Sequence, residues 1–233
     1  MHEVVNGALG ADGVELAVLP RGTGKDFVRS LRIPSSLRAA LDVARDGRPR
    51  PLDVGRASYR SWDGDDASTY FANFAGAGIS GAIARRANRS SKALGGRISF
   101  FAATLAVFAS WKSANMTVAI DNERRSGDMF EVLVMNGDYA AGGMWVTPEA
   151  EPDDGALDVL LIGDVTKLDF ISTFPKIYRG RHLSHPKIDV VQGREVKVDA
   201  VPAVPVVLDG EQPGTTPARF ELVPRALRVR VPS

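Results

Sequence analysis

The chain has 233 residues, with 29 Lys+Arg against 28 Asp+Glu, 44% hydrophobic content and no Cys. A formal net charge of +1 argues against a protein built to coat nucleic acid, and the lack of thiols excludes disulfide scaffolds, thiolate zinc sites and a Cys nucleophile. Three His (His2, His182 and His185) are few for a multi-His metal site, and the start MHEVVNGALGADG carries no export signature.

The predicted elements begin as a fragment of an α/β layer. Val4 and Val5 precede Asn6-Gly7, as at a helix end, and Val14 to Leu19 reads as a buried strand. The loop Pro20 to Gly24 leads into the helical spacing of Phe27, Val28 and Leu31. Ser35 or Ser36 can cap a further helix, with an expected apolar face of Leu37, Ala40, Leu41 and Ala44. Asp46-Gly-Arg-Pro-Arg-Pro breaks the pattern and marks a domain boundary. The expected division is residues 1–50 and 51–226, with the last strand, 227–231, returning to the first domain.

The second part is richer in strands. Tyr70 to Phe74 reads as a strand entering a Gly-rich turn, AGAGISG, and helices are expected near Ile79 to Ala87, Ile98 to Trp111 and Lys167 to Tyr178. The window Ile98 to Trp111 is charge-free but shorter than the ~20 residues of a membrane-spanning helix, and its stripe of Ile98, Phe101, Leu105 and Phe108 reads as core. Met116 to Ile120 and Phe130 to Asn136 are strands around a polar turn, Asp121 to Asp128. Further short strands are expected at Leu157 to Ile162, Ile188 to Val191, Val196 to Val198, Val206 to Leu208, Phe220 to Val223 and Leu227 to Val231. The fold class is therefore α/β plus β: a partial Rossmann-like N-terminal domain, then an antiparallel β-sandwich with helices.

Four segments carry candidate chemistry. Pro20-Arg-Gly-Thr-Gly-Lys-Asp26 is either a tight strand-to-helix turn or a Gly-rich anion cradle, without Walker or GxGxxG spacing. Glu151-Pro-Asp-Asp-Gly-Ala-Leu-Asp158 is either a solvated turn or an oxygen-rich site for a hard cation such as Mg2+ or Ca2+. Asp209-Gly210-Glu211 is a hairpin-turn signal that can also present a general base at a strand end. In Arg179-Gly-Arg-His-Leu-Ser-His-Pro186, the His are capping or surface residues or ligands for a metal or phosphate, and the Arg forks match phosphate or lipid headgroups.

The order of these segments is more specific than any one of them. HEVVNG, LPRGTGKDF, YFANFAGAGISG, ANRSSKALGGRISF, PEAEPDDGALDV, YRGRHLSHP and LDGEQPGTTPARFELVP together resemble the diacylglycerol kinase-like lipid kinases from Glu3 to Pro232, and more narrowly the bacterial soluble diacylglycerol kinase and YegS-like branch. The resemblance implies a nucleotide cleft between two domains and transfer of the ATP γ-phosphoryl group to a lipid hydroxyl, with diacylglycerol as the expected lipid and Mg2+ assisting. It implies Glu211 as proton acceptor, Asp209 as its orienting neighbour and Asp26 as a member of the catalytic network. ATP would meet Gly22, Thr23, Gly24 and Lys25, and Mg2+ would meet the Asp154 carboxylate with main-chain carbonyls of Glu151 and Ala156.

Two departures accompany it. The family's GGDGT loop directly precedes HEVVNG, where Met1 stands here, and Lys25 occupies the Asn position of GTGND. The alternative they raise is a catalytically impaired module that binds a lipid or a partner. The expected setting is the cytoplasm, peripheral at the inner face of the membrane, compatible with a homodimer and without a nucleic-acid partner. Arg85, Arg86, Arg89, Lys92 and Arg97 are the expected transient headgroup contacts, against the plainer reading of a solvated helix face.

Overall fold

The computed structural model describes residues 1–11, 13–22, 24–89, 104 and 106–233. Two long strands, β1 (Arg48–Ser61) and β12 (Glu211–Val231), pair antiparallel from Arg48↔Val231 to Ser61↔Gly214 and form its spine. β2 (Asp66–Phe71) pairs with the far edge of β1. On its other side β12 pairs first with β11 (Pro205–Leu208) and then with β10 (Glu195–Val201). From β11 the sheet continues through β3 (Phe74–Gly78), β5 (Glu123–Met135) and β4 (Ala114–Ile120) back to β10. The sandwich-like sheet thus closes into an antiparallel barrel, which removes most of its free edges. β8 (Leu157–Gly163) and β9 (Ile188–Gly193) extend from β5, and β6 (Tyr139–Ala140) forms a separate small hairpin with β7 (Met144–Trp145).

The side-chain alternation of β5 shows why the barrel has two cores. Val132 and Val134 face inward with Met116, Val118, Val206 and Phe220, whereas Leu133 and Met135 pack outside with Val146 and Leu160. A strand buried on both faces reads in sequence as an unbroken apolar run rather than an alternating one. Its polar half, Glu123 to Asp128, is strand as well, so the turn expected over residues 121–128 shrinks to Asp121-Asn122. The expected strands 220–223 and 227–231 are likewise one, β12.

The expected Gly-rich turn after Phe74 is instead β3. Its glycines serve close approach: a Cβ on Gly76 would lie 2.8 Å from the Leu133 side chain, and one on Gly78 would lie 3.0 Å from the Glu131 carboxylate.

Three helices, α1 (His2–Ala8), α2 (Asp26–Ser30) and α3 (Leu37–Asp46), set Val5, Phe27, Val28, Leu31 and Ala40 against Leu52, Val54, Leu227, Val229 and Val231. Residues 14–19, expected as a strand, make only a one-residue parallel bridge, Leu16↔Val229. Ser36 caps α3 by accepting the Ala39 N–H at 3.2 Å. The inward side of α3 is Ala40, Val43 and Ala44, while Leu37 and Leu41 are exposed. At its C-terminal end Gly47 lets the helix approach Val231 so closely that a Cβ there would sit 2.5 Å from the Val231 carbonyl oxygen. Of the helix expected over 98–111, residues 98–103 and 105 lie outside the described set, and Phe108 in the remainder is buried. No helix among the described residues is long and apolar enough to cross a membrane.

α4 (Ile79–Arg89) starts directly from β3 and is capped from below by a different strand. The fully buried Glu131 carboxylate accepts the Ser80 N–H at 2.6 Å and the Ser80 hydroxyl at 2.7 Å. A carboxylate suits the positive end of a helix, but burial is the larger effect and raises its pKa to about 7. The folded state therefore holds a proton that the unfolded chain, with an ordinary Glu, releases near pH 4.5. Stability from this group is full below the unfolded value and declines as pH rises towards 7, by about 3 kcal/mol at most. Urea midpoints at pH 5 and pH 7.5 test this: Glu131→Gln should flatten the decline seen in the parent chain. An equal decline in both would show that Glu131 is ionised throughout.

Candidate active site

Three turns meet at one end of the barrel, and the carboxylate of Asp209 ties two of them. Asp209-Gly210 is a two-residue hairpin turn with both φ angles positive (49° and 96°), and Leu208 pairs with Glu211 across it. That is the turn type whose twist suits a β-hairpin, and its left-handed backbone favours Asp or Asn followed by Gly. One Asp209 oxygen accepts the Ala72 N–H at 2.8 Å, and the other accepts those of Asn73 at 3.0 Å and Phe74 at 2.9 Å. The Asp209 N–H donates back to the Phe74 carbonyl at 2.9 Å. Burial pushes the Asp209 pKa up, while the three amide donors and the charge of His2 act in the opposite direction. Its acceptor capacity is committed to the backbone, so Asp209 holds structure next to the site.

Glu211 is the first residue beyond that turn. It is exposed, and among the described residues its carboxylate has no hydrogen-bond or ion-pair partner. The next residue is braced: the Trp62 indole N–H donates to the Gln212 carbonyl at 2.9 Å, and the Arg85 guanidinium lies 3.8 Å over the Trp62 ring. Arg85 is therefore engaged by Trp62, and Arg86 also has a partner. The Arg89 side chain, Lys92 and Arg97 lie outside the described residues.

The third turn is Asn136-Gly137-Asp138 at the end of β5, which sequence reasoning missed. Its backbone N–H groups at 136 and 137 donate to the Asn73 carbonyl, and the Asn136 side chain donates to the carbonyls of Ala72 (2.8 Å) and Asp53 (2.9 Å). Asn73 in turn donates to the Tyr139 carbonyl at 2.8 Å. Gly137 is required here, since a Cβ would stand 2.5 Å from the Asn73 side-chain oxygen and 2.7 Å from the Ser30 hydroxyl. Asp138 is buried and accepts from Arg32 (3.1 Å) and the Trp145 indole (3.3 Å). The only sequence signal was an Asn-Gly-Asp run closing an apolar strand.

Asp26, the first residue of α2, docks onto this assembly. Its carboxylate accepts the Gly142 N–H at 2.7 Å and an Arg29 N–H at 3.0 Å, with burial raising its pKa and the Gly142 and Gly143 amides opposing that. Lys25 precedes it at φ 59°, a left-handed conformation that Asn adopts more readily than Lys. Gly24 and exposed Gly22 flank Thr23, which lies outside the described residues.

The acidic turn 151–156 sits against β1. Arg50 grips Asp153 with two hydrogen bonds (2.5 and 2.7 Å) and reaches the Glu151 carboxylate at 3.1 Å. Asp53 accepts the Gly155 N–H at 2.8 Å. Asp154 accepts the Ala156 N–H with one oxygen at 2.9 Å. The nearby Asp158 is raised to about pH 6 by burial, with the charges of Asp154 and Glu149 adding to it. Arg50 balances Asp153 and Glu151, and Arg194 donates to the Gly155 carbonyl at 3.0 Å. This leaves Asp154 and Asp158 as the carboxylates without a cationic partner among the described residues, oxygen donors of the kind a hard divalent cation takes. Among the described residues no three acidic or His side chains converge, so such an ion would rely on main-chain carbonyls and water. Asp53, Asn136 and Ala72 link this turn to the Asp209 clamp through hydrogen bonds.

His182 is not an available ligand. It is buried, its Nε2 pairs with the Val146 carbonyl at 2.9 Å, and burial lowers its pKa, so it holds a neutral ring inside the fold. His185 binds the Lys187 N–H through Nδ1 at 3.2 Å.

Comparison with known proteins agrees with this architecture. Residues 73–231 match the YegS C-terminal NAD kinase beta sandwich-like domain, and residues 1–57 match the diacylglycerol kinase catalytic domain. A diacylglycerol kinase of Staphylococcus haemolyticus (strain JCSC1435) is 26% identical over 235 residues, covering 100% of this chain and 68% of the relative. One from Mycobacterium tuberculosis (strain ATCC 25618 / H37Rv) is 28% identical over 226 residues, covering 96% and 71%. A crystal structure of a diacylglycerol kinase from Bacillus anthracis str. Sterne superposes with a TM-score of 0.66 at 22% identity, covering 93% of this chain and 66% of that one. The chain belongs to the diacylglycerol kinase-like family of lipid kinases.

Removing the Asp209 carboxylate leaves three backbone N–H groups without their acceptor. Asp209→Ala should lower the unfolding free energy by roughly 2–4 kcal/mol, read from urea midpoints. An unchanged midpoint would mean that the clamp contributes nothing net.

Proposed function

We propose that the chain transfers the γ-phosphoryl group of ATP to a lipid hydroxyl, most simply converting diacylglycerol to phosphatidic acid. The observation that carries this reading is Glu211: an exposed, unpaired carboxylate placed at a strand start by a turn that Asp209 fixes to three amides. Glu211 takes the hydroxyl proton as the lipid oxygen attacks the γ-phosphorus. The bond from that phosphorus to the β–γ bridging oxygen breaks, and ADP leaves with the electron pair. Gly22, Thr23, Gly24 and Lys25 are assigned to the nucleotide, with Lys25 acting on a phosphate as a point charge. Asp26 keeps this loop against the 142–143 turn.

Mg2+ is assigned to the Asp154 carboxylate with the carbonyls of Glu151 and Ala156. When bound, a divalent cation there supplies charge that offsets Asp154 and Asp158 and stiffens the turn. The setting that follows is cytoplasmic, with peripheral access to a membrane.

The test is transfer of labelled γ-phosphate to diacylglycerol in mixed micelles. Glu211→Gln should lose on the order of 10²–10⁴-fold in rate with an unchanged fold. Equal rates in both proteins would remove Glu211 as base, and no transfer by the folded parent chain would favour the alternative of a binding module. For the metal, Mg2+ at about ten times its Kd should raise Tm by roughly 3 °C, and Asp154→Asn should abolish that shift. The same shift in the variant would place the ion elsewhere.

A further inference from the structure

α5 (Lys167–Ile177) is apolar on two sides, which a helix lying on a protein surface has no need to be. Its inner side is accounted for. Phe170 stacks on Phe108 at 4.2 Å and on Phe174 at 5.2 Å, and Thr173 is buried. Its outer side carries Leu168, which is 78% exposed, and Ile171, which is 60% exposed, with Tyr178 following at 48%. Positions 168, 171 and 178 fall on one helical face, since steps of three and seven residues return to the same side. The chain then enters a short 3-10 turn, Arg181–Ser184, that adds Leu183 to the exposed apolar surface.

Charge on this segment is lopsided. Residues 166–187 contain five Lys or Arg and one carboxylate, a net +4 in a chain whose total is +1. Lys167 and Lys187 direct their ammonium groups to backbone carbonyls, of Phe108 and Trp111 and of Asp164 respectively. Lys176, Arg179 and Arg181 are exposed and have no carboxylate partner among the described residues. Exposed Arg38, Arg56 and Arg124 likewise have no carboxylate partner among the described residues, so what sets this segment apart is its net charge beside the apolar row.

We infer that the outer face of α5 and the following turn form a docking element for an anionic lipid bilayer. Leu168, Ile171 and Tyr178 enter the interface while Lys176, Arg179 and Arg181 meet acidic headgroups. An apolar row alone gives marginal membrane binding, and a cationic cluster beside it supplies the second attraction. A second copy of the chain is a poor occupant. Three side chains fall well short of the ~800 Å² per partner of a stable dimer, and two-fold pairing would set one +4 segment against another. This inference rests on the proposed lipid kinase activity only in that the substrate resides in a bilayer; it places membrane contact on α5, apart from α4.

The experiment is co-sedimentation of the full chain with vesicles of phosphatidylcholine, alone and with about a third phosphatidylglycerol. Binding is expected only to the anionic vesicles. The double variant Leu168→Ser/Ile171→Ser should bind at least tenfold more weakly, and Arg179→Gln/Arg181→Gln roughly 30-fold more weakly with a reduced salt dependence. Both replace exposed side chains, so Tm should stay within about 2 °C of the parent. Unchanged binding by the folded variants, or no binding by the parent, would overturn the inference. So would a change of oligomeric state in the variants with vesicle binding intact. Phosphorylation of a short-chain diacylglycerol below its micelle concentration separates the two readings. Leu168→Ser/Ile171→Ser should retain it fully. A parent chain that docks through α5 yet phosphorylates no lipid would contradict the proposed function and leave this inference standing.

Discussion

One carboxylate organises the site. Asp209 closes a hairpin turn that needs a left-handed backbone at two successive positions, and its two oxygens are filled by three consecutive amides of a separate turn. Without those amides the buried charge would be costly, and without the charge the amides at 72–74 would lack an acceptor. The same short segment is gripped from its other side, where Asn136 takes the Ala72 carbonyl and Asn73 accepts two backbone N–H groups from the 136–137 turn. Glu211 is therefore carried by a rigid mount although its own side chain is exposed. Rigidity of this kind would let the proposed proton acceptor hold its place without spending its own oxygens on structure.

α4 braces the same hairpin from the outside. Gly81 brings the helix so close to Pro205 that a Cβ would meet that residue's carbonyl at 2.6 Å, and Arg85 lies over Trp62, whose indole N–H holds Gln212. The start of α4 is fixed in turn by Glu131 from β5. A chain of contacts thus runs from a buried carboxylate in the barrel wall to the residue after Glu211. Charged and polar groups, rather than apolar packing alone, decide where the site residues stand.

Much of the barrel was legible in the sequence because its strands carry the usual signals. Apolar runs marked β4, β8, β9 and β11, and Asp-Gly marked the hairpin at 209–210. Other features were hidden for physical reasons. Glycines at 76 and 78 look like a turn but serve close packing under Glu131, and the polar residues 123–128 look like a loop but lie on an exposed stretch of β5. The face of α3 shares Ala40 and Ala44 with the expected one but leaves Leu37 and Leu41 exposed and turns Val43 inward, against a partner strand whose Val231 is remote in sequence. Ordered motifs pointed to Glu211, Asp209 and Asp26, whereas Asn73 and Asn136 act through backbone groups that no side-chain pattern announces, and Asp138 through Arg32 and Trp145, distant or unremarkable in sequence. Arg85 of the expected headgroup cluster lies over Trp62, while Arg179 and Arg181, the other expected headgroup contacts, follow an exposed apolar row on α5, where only the stacking of Phe170 and the burial of Thr173 reveal which side faces out.

The most direct test of the clamp is amide hydrogen exchange, followed by NMR, in the parent chain, Asp209→Asn and Glu211→Gln. If Asp209 holds the 72–74 turn, the amides of Ala72, Asn73 and Phe74 should exchange at least tenfold faster in Asp209→Asn, with those of β4 and β5 unchanged and Glu211→Gln matching the parent throughout. Equal protection of the three amides in all three proteins would contradict the account, because the mount of Glu211 would then not depend on that carboxylate.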